Sequence, residues 1–257
     1  MEPILEIENI SLQFGGVKAL DSVTYHINQG EIFSLIGPNG AGKTSMLNCI
    51  SGLYQPTSGS IRYKGQEIIN MKPYNRTNLG MARAFQNIAL FAHMSGLDNL
   101  KLGRHSLMNS GVFAGGLYVG KGSREEIVHR EKVEEVIGFL ELQDIRHTPV
   151  GTLSYGLQKR VEVGRALALN PELILLDEPM AGMNNAEKDM MSRFIIDMHE
   201  VMGTTVVLIE HDLGVVMNLS DHIAVLDFGK LIGFGTQKEI QQNQDVIRAY
   251  IGEETVI

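Results

Sequence analysis

Short apolar runs and helical periodicities alternate along most of the chain. The stretch Ile4-Leu5-Glu6-Ile7-Glu8-Asn9-Ile10 alternates apolar and polar side chains and predicts a strand. Tyr25-His26-Ile27 predicts another, ahead of the turn at Asn28-Gln29-Gly30. Residues 32–36 are almost wholly apolar, the pattern of a strand covered on both faces, and they run into a glycine-rich loop and a helix opening near Lys43. Two further buried strands are predicted: residues 173–176, ending in Asp177-Glu178, and residues 205–209, ending in Glu210-His211. Helical spacing fills residues 124–140, 157–168 and 187–202. Strands alternating with helices predict an α/β fold with a mainly parallel sheet, and the early strands an antiparallel side sheet. Residues 87–160 are mostly helical and predict an inserted helical subdomain, leaving 1–86 and 161–257 as the core of a single large domain. Within the insertion, residues 103–123 hold six glycines and predict a long exposed connection.

Composition narrows the class. With 257 residues, 44% hydrophobic and 20% charged, the chain carries enough apolar content to exclude disorder. No apolar run approaches the roughly 18 residues of a membrane-spanning helix. Met1-Glu2-Pro3-Ile4 has no basic region leading into an apolar stretch, so no secretory signal is expected. A lone cysteine, Cys49, builds no disulfide framework and fits a reducing cytoplasm. The net charge of −8 argues against a nucleic-acid partner, which favours a basic face.

Two motifs carry chemistry. Gly37-Pro38-Asn39-Gly40-Ala41-Gly42-Lys43-Thr44, followed by Ser45, fits the phosphate-loop pattern and lies where that pattern requires, between a buried strand and a helix. Glycines let successive N–H groups turn toward phosphate oxygens, and the helix aims its positive end at the same anion. Lys43 is expected to reach the β- and γ-phosphates and the Thr44 hydroxyl to ligate Mg²⁺. Asp177 and Glu178 stand at the end of a buried strand, where open α/β sheets place their ligands. Because neighbouring strand residues face opposite ways, the two acids can divide the work. Asp177 is assigned to Mg²⁺, directly or through water, and Glu178 to polarising the attacking water. A nucleoside triphosphate and Mg²⁺ are the cofactors these residues imply, and the family resemblance of the next motifs makes the nucleotide ATP.

Three further elements choose among phosphate-loop proteins. Leu153-Ser154-Tyr155-Gly156-Leu157-Gln158 resembles the signature of ABC-type ATPases, Gln86 lies at the position of their glutamine loop, and His211 at that of their switch histidine. The chain is identified as a member of the ABC transporter nucleotide-binding subunits. More narrowly, residues 80–87, Leu90-Phe91, Glu178-Pro179, residues 181–184 and the tail at 249–253 are similar to ATPases of branched-chain amino-acid uptake. Amide, urea and aromatic-acid importers share those marks, and a lipid or export system, or a soluble ABC protein acting on ribosomes or DNA, are the rival readings.

The resemblance implies a head-to-tail dimer of ATPase copies, alike or different, with each ATP between the phosphate loop of one and the signature of the other. Leu153, Ser154, Tyr155, Gly156 and Leu157 are the positions implied for that contact, with Ser154 and the Gly156 backbone donating to the γ-phosphate. It further implies Phe14 as the ring stacked on adenine, Gln86 near the metal, and His211 holding the γ-phosphate and orienting water. Transmembrane permeases, an indirect extracytoplasmic solute-binding protein, and a place on the inner face of the plasma membrane follow in the same way. Tyr155, Leu157 and Asn184 depart from the commoner Gly, Gln and Asp of the wider family. Plainer readings stand beside these: Phe14 as a strand-end core residue, the Met-rich stretch 180–202 and Cys49 as core filling, and Phe85, Phe91 and Met94 as core rather than a permease contact.

Overall fold

The early alternating strands are longer than their apolar runs suggest. In the computed structural model, which describes residues 2–86, 88–104, 107 and 121–254, β1 (Pro3–Phe14) and β2 (Val17–Asn28) form an antiparallel hairpin. After β3 (Ile32–Ile36) and α1 (Lys43–Ser51), β4 (Ser58–Tyr63) and β5 (Gln66–Glu67) complete a four-stranded antiparallel sheet in the order β2-β1-β4-β5. The helix α2 (Pro73–Asn78) then leads to β6 (Met81–Ala84). Arg76 of α2 is buried, and its guanidinium donates to the carbonyls of Cys49 and Ile50, both at 2.7 Å. That gives the Ile50 carbonyl a partner at the end of α1 and adds a second donor to the Cys49 carbonyl, which also accepts from the Gly52 N–H (3.2 Å).

Three helices follow: α3 (Gly96–Arg104), α4 (Lys121–Phe139) and α5 (Tyr155–Leu167). Most of the expected connection at 103–123 lies outside the described residues. The boundary expected at residue 160 falls inside α5, a continuous helix whose apolar face packs on the central sheet as well as on α3. The chain continues through β7 (Leu173–Asp177), α6 (Asn185–Glu200), β8 (Thr205–Ile209), α7 (Leu213–Leu219), β9 (His222–Asp227), β10 (Lys230–Gly235), α8 (Gln237–Gln242) and α9 (Gln244–Glu254).

The central sheet has the order β10-β9-β3-β8-β7-β6, parallel throughout except for β10. Strands β3, β7 and β8 in its middle are buried at every position, and mostly apolar, because both faces are covered. Along β7, Leu173 and Leu175 join a core shared with α1 and the antiparallel sheet, while Ile174 and Leu176 join a second core with α3, α4, α5 and α6. In β8, Val207 and Ile209 face the first core, and Val206 and Leu208 the second. Met180, Met183, Met191 and Met198 are buried in that second core, so the methionine-rich stretch fills space. Cys49 is buried against α1's neighbours, and burial pushes its thiol up to about 12. Among the described residues no helix is long and apolar enough to cross a membrane.

Candidate functional site

A cleft of about 430 Å³ opens at the carboxyl ends of β3, β7 and β8, lined by Val17–Ala19, residues 39–45, Gln86, Glu178, His211 and Phe228. Gly42 starts α1 in the left-handed region (φ 101°), where a Cβ would lie 2.6 Å from the Ala19 carbonyl oxygen, so only glycine fits. No side chain caps α1, which leaves its first N–H groups directed at the cleft. Lys43 is almost fully buried and donates to the carbonyls of Gly37 (2.6 Å) and Pro38 (2.9 Å), which curls the loop around its ammonium. Gly37 and Pro38 shape the loop from behind; Asn39, Gly40, Ala41, Gly42, Lys43, Thr44 and Ser45 line the cleft itself.

The two carboxylates divide more sharply than strand alternation predicts. Asp177 is the last residue of β7, on the α1 side, and pairs with Arg83 of β6 at 2.9 Å. Arg83 also donates to Asn48 Oδ1 (2.7 Å) and Ser51 Oγ (2.9 Å), so it fastens the strand-end acid to the phosphate-loop helix. Burial pushes the Asp177 carboxyl above its ordinary value, while the Arg83 charge pulls it back down. Its other oxygen, Oδ1, is buried with no hydrogen-bond partner among the described residues. Glu178 leaves the strand altogether: its φ is 51°, and its N–H donates to the Ile209 carbonyl at 2.9 Å. This turn carries its carboxylate into the cleft, where Gln86 Nε2 donates to Oε2 (2.7 Å) and His211 Nε2 lies 2.5 Å from Oε1. Glu178, Gln86 and His211 therefore meet at one point, although 92 and 33 residues separate the two partners from the acid.

Several supporting residues escaped the sequence reading. Lys159 of α5 is buried and donates to the carbonyls of Gln86 (2.5 Å) and Phe85 (3.2 Å), and Arg165 donates to that of Ala89 (2.6 Å). The signature helix thus grips the glutamine loop by its backbone. Glu210, raised by burial, accepts from the Met180 N–H at 2.8 Å and fixes the turn after Glu178. A charged residue inside a short apolar strand, as at Arg83, was the one sequence cue available.

The signature does not line this chain's own cleft. Ser154 is the exposed N-cap of α5, accepting from the Leu157 N–H, and Leu153 and Leu157 are half-buried. Tyr155 packs its ring over Gly182, where a Cβ would be 3.2 Å from the ring, and Gly156 lies against the Glu187 carboxylate. Gln158 donates to the Leu153 carbonyl (2.9 Å) and is occupied in holding the turn. Asn184 caps α6 in a reciprocal box with Glu187. Tyr155 and, through Glu187, Asn184 thus brace the signature and the turn before α6 against each other. Phe14 ends β1, 48% exposed, with its ring edge-on to Tyr54 at 5.1 Å, and the structure does not bring it into the cleft wall. Phe85 lies under the Arg83 guanidinium (4.9 Å); Phe85 and Phe91 are exposed and Met94 half-buried, so they are not core. Asn87 lies outside the described residues.

A glycine-rich loop between a parallel strand and an uncapped helix, facing strand-end acids, defines a P-loop nucleoside triphosphatase. Within that class the chain belongs to the ABC transporter family, whose model matches residues 20–181. It is 39% identical over 254 residues, 98% of either chain, to the high-affinity branched-chain amino acid transport ATP-binding protein BraF of Pseudomonas aeruginosa. It is 35% identical over 252 residues, 98% of this chain and 99% of the other, to the corresponding protein LivG of Escherichia coli (strain K12). Among solved structures it is similar to an ATP-binding cassette of an ABC transporter in its ADP conformation, with TM-score 0.85, 32% identity, and 98% and 100% of the two chains covered. It is also similar to a dimeric post-hydrolysis cassette bound to ADP and Pi, with TM-score 0.77, 25% identity, and 91% and 98% covered. The chain is accordingly a nucleotide-binding, ATP-hydrolysing subunit of an ABC transporter.

Proposed function

We propose that this subunit powers uptake of branched-chain amino acids, hydrolysing Mg·ATP at the interface of a head-to-tail dimer. The observation that carries the catalytic part is the meeting of Glu178, Gln86 and His211 in the cleft that Lys43 and Thr44 line. Lys43 releases its loop carbonyls to hold the β- and γ-phosphates, with residues 37–45 supplying N–H groups. Glu178 polarises the attacking water, and His211 orients it against the γ-phosphate. Phe14 remains a candidate for the adenine face by resemblance alone.

Thr44, Gln86 and Asp177 are the residues that would hold Mg²⁺. The unpartnered buried oxygen of Asp177 suits that task. Among the described residues no cluster of three His, Cys, Asp or Glu side chains forms, as befits an ion that takes one or two carboxylates and completes its shell with phosphate and water. Bound there, the ion neutralises phosphate charge.

Within residues 153–157, Ser154 and Tyr155 are exposed, and the stretch would reach the ATP of a second copy, Ser154 donating its hydroxyl while its oxygen accepts from Leu157. Phe85 and Phe91, both exposed and flanking the glutamine loop in the sequence, suit contact with a permease segment. The subunit then sits peripherally on the inner face of the plasma membrane, with a solute-binding protein acting from the far side. The solute class rests on the relatives' names and on the residues at 80–87 and 181–184.

Glu178→Gln protein mixed with Mg·ATP is expected to elute as a dimer and to hydrolyse nothing, while Lys43→Ala binds no nucleotide. Equal ATPase rates in wild type and Glu178→Gln would remove Glu178 from the chemistry. Reconstituted with its permeases, the wild type should drive uptake of leucine, isoleucine or valine; uptake of urea or short amides instead would move it to another importer class.

A further inference from the structure

We infer that Glu210, between β8 and His211, is a positioning residue for ATP hydrolysis: its buried carboxylate ties the turn carrying Glu178 to the turn carrying His211 and sets where the two side chains meet. This rests on the catalytic reading of Glu178 and His211. Glu210 is buried, and its Oε1 accepts from the N–H of Met180 (2.8 Å), just past Glu178 and Pro179. The carboxylate also accepts from the N–H of His211 itself, and no lysine or arginine among the described residues pairs with it. Burial pushes its carboxyl up, the two N–H groups pull it back, and the Glu178 charge pushes it up again. A carboxylate buried near a like charge, without a cation, is a costly way to end an apolar strand. What it offers in return is two acceptor oxygens where two segments need them.

Both turns need that hold. Glu178 has left its strand in the left-handed region (φ 51°), a strained conformation for a side chain of its size. Its own N–H goes to the Ile209 carbonyl (2.9 Å), and Pro179 has no N–H to give, so Met180 supplies the next donor along the turn. Ile209 and Glu210, adjacent in sequence, therefore grip the acid's turn on both of its sides. On the other segment, the main chain of His211 lies between the Glu210 carboxylate and Asp212, which caps α7 and pairs with Lys188 of α6 (3.0 Å). The imidazole itself is half-exposed, with no packing of its own to fix it, yet its Nε2 lies 2.5 Å from Glu178 Oε1. One carboxylate thus registers two reactive side chains that stand 33 residues apart. Glu210 does not line the cleft, so its effect on bound ATP runs through the two turns.

The test is steady-state ATPase kinetics of the full chain, with ADP affinity measured by calorimetry. Glu210→Leu has no acceptor; Glu210→Gln keeps one acceptor oxygen and turns an NH₂ against the second N–H. Expected kcat falls about tenfold in the Gln variant and about a hundredfold in the Leu variant, the scale of an about 1 Å misplacement of reacting groups, with KM for ATP and ADP affinity within about twofold. Because the loss runs through the Glu178–His211 meeting, adding Glu210→Gln to His211→Ala protein should lower kcat by no more than about threefold further. A kcat unchanged in both variants, a loss of ADP affinity in step with kcat, or the same fall with and without His211 overturns the inference. If Glu210→Leu does not fold, the Gln variant decides by the same comparisons. If Glu178→Gln and His211→Ala proteins hydrolyse ATP at the wild-type rate, the catalytic reading itself fails, and that shows before any Glu210 variant is made.

Discussion

At the scale of single residues, Lys159 is a charge buried among neutral carbonyls. Its ammonium is 1% exposed and held by the carbonyls of Phe85 and Gln86, with Glu162 at 3.6 Å and equally buried. Removing one member of such a pair leaves an uncompensated charge, and Lys159→Met is expected to cost about 3 kcal/mol near neutral pH. The pH dependence follows from Glu162, whose carboxyl is pushed up by burial and pulled down by Lys159. Without the lysine its folded pKa rises further above the unfolded value. The folded form then binds its proton more tightly, and stability is lost as pH climbs through the folded pKa. The deficit against wild type should therefore be smaller at pH 5 than at pH 8. Urea denaturation at both values measures it; a deficit that does not change with pH would show that Glu162 is not the group left exposed to the loss.

At the scale of elements, the turn before α6 does two jobs that one residue joins. Asn184 accepts from the Glu187 N–H (3.0 Å) while Glu187 accepts from the Asn184 N–H (3.1 Å), and the Glu187 carboxylate also backs Gly156 of the signature. Asn and Asp cap helices equally well, so Asn184→Asp should leave stability unchanged, whereas Asn184→Ala should cost about 1 kcal/mol. Thermal or urea melts separate the two; equal losses in both would mean that the asparagine is needed for something other than the cap. These elements also mark how far the sequence could be read. The phosphate loop, the acids after β7 and the histidine after β8 were legible because continuous apolar strands pointed straight at them. β6 was not, since four residues interrupted by Arg83 show no periodicity, and Arg83 earns its place only against Asp177, Asn48 and Ser51. The same holds for Lys159 and for Glu210, which bond across to distant segments. The left-handed turn at Glu178 was equally invisible, because strand alternation says nothing of the residue after the strand.

At the scale of the whole molecule, the proposed shared site is testable because the cleft and the signature lie apart on one chain. The chemistry-bearing side chains line an open cleft on one side of the chain, while Ser154 stands exposed at the start of α5 and takes no part in that cleft. A dimer in which each copy's loop meets the other's signature is an isologous, two-fold contact, and it holds two equivalent sites because both copies use both surfaces. That geometry has a consequence no single-chain site shares. Lys43→Ala protein lacks the phosphate grip but keeps its signature; Ser154→Arg protein keeps the grip but blocks its signature. In a mixed dimer one site loses both and the other keeps both. Each variant alone should be inactive, and an equimolar mixture should recover ATPase activity that rises with total protein concentration. If the mixture stays as inactive as its components while each still binds its partner by light scattering, the phosphate loop and the signature do not work across the interface.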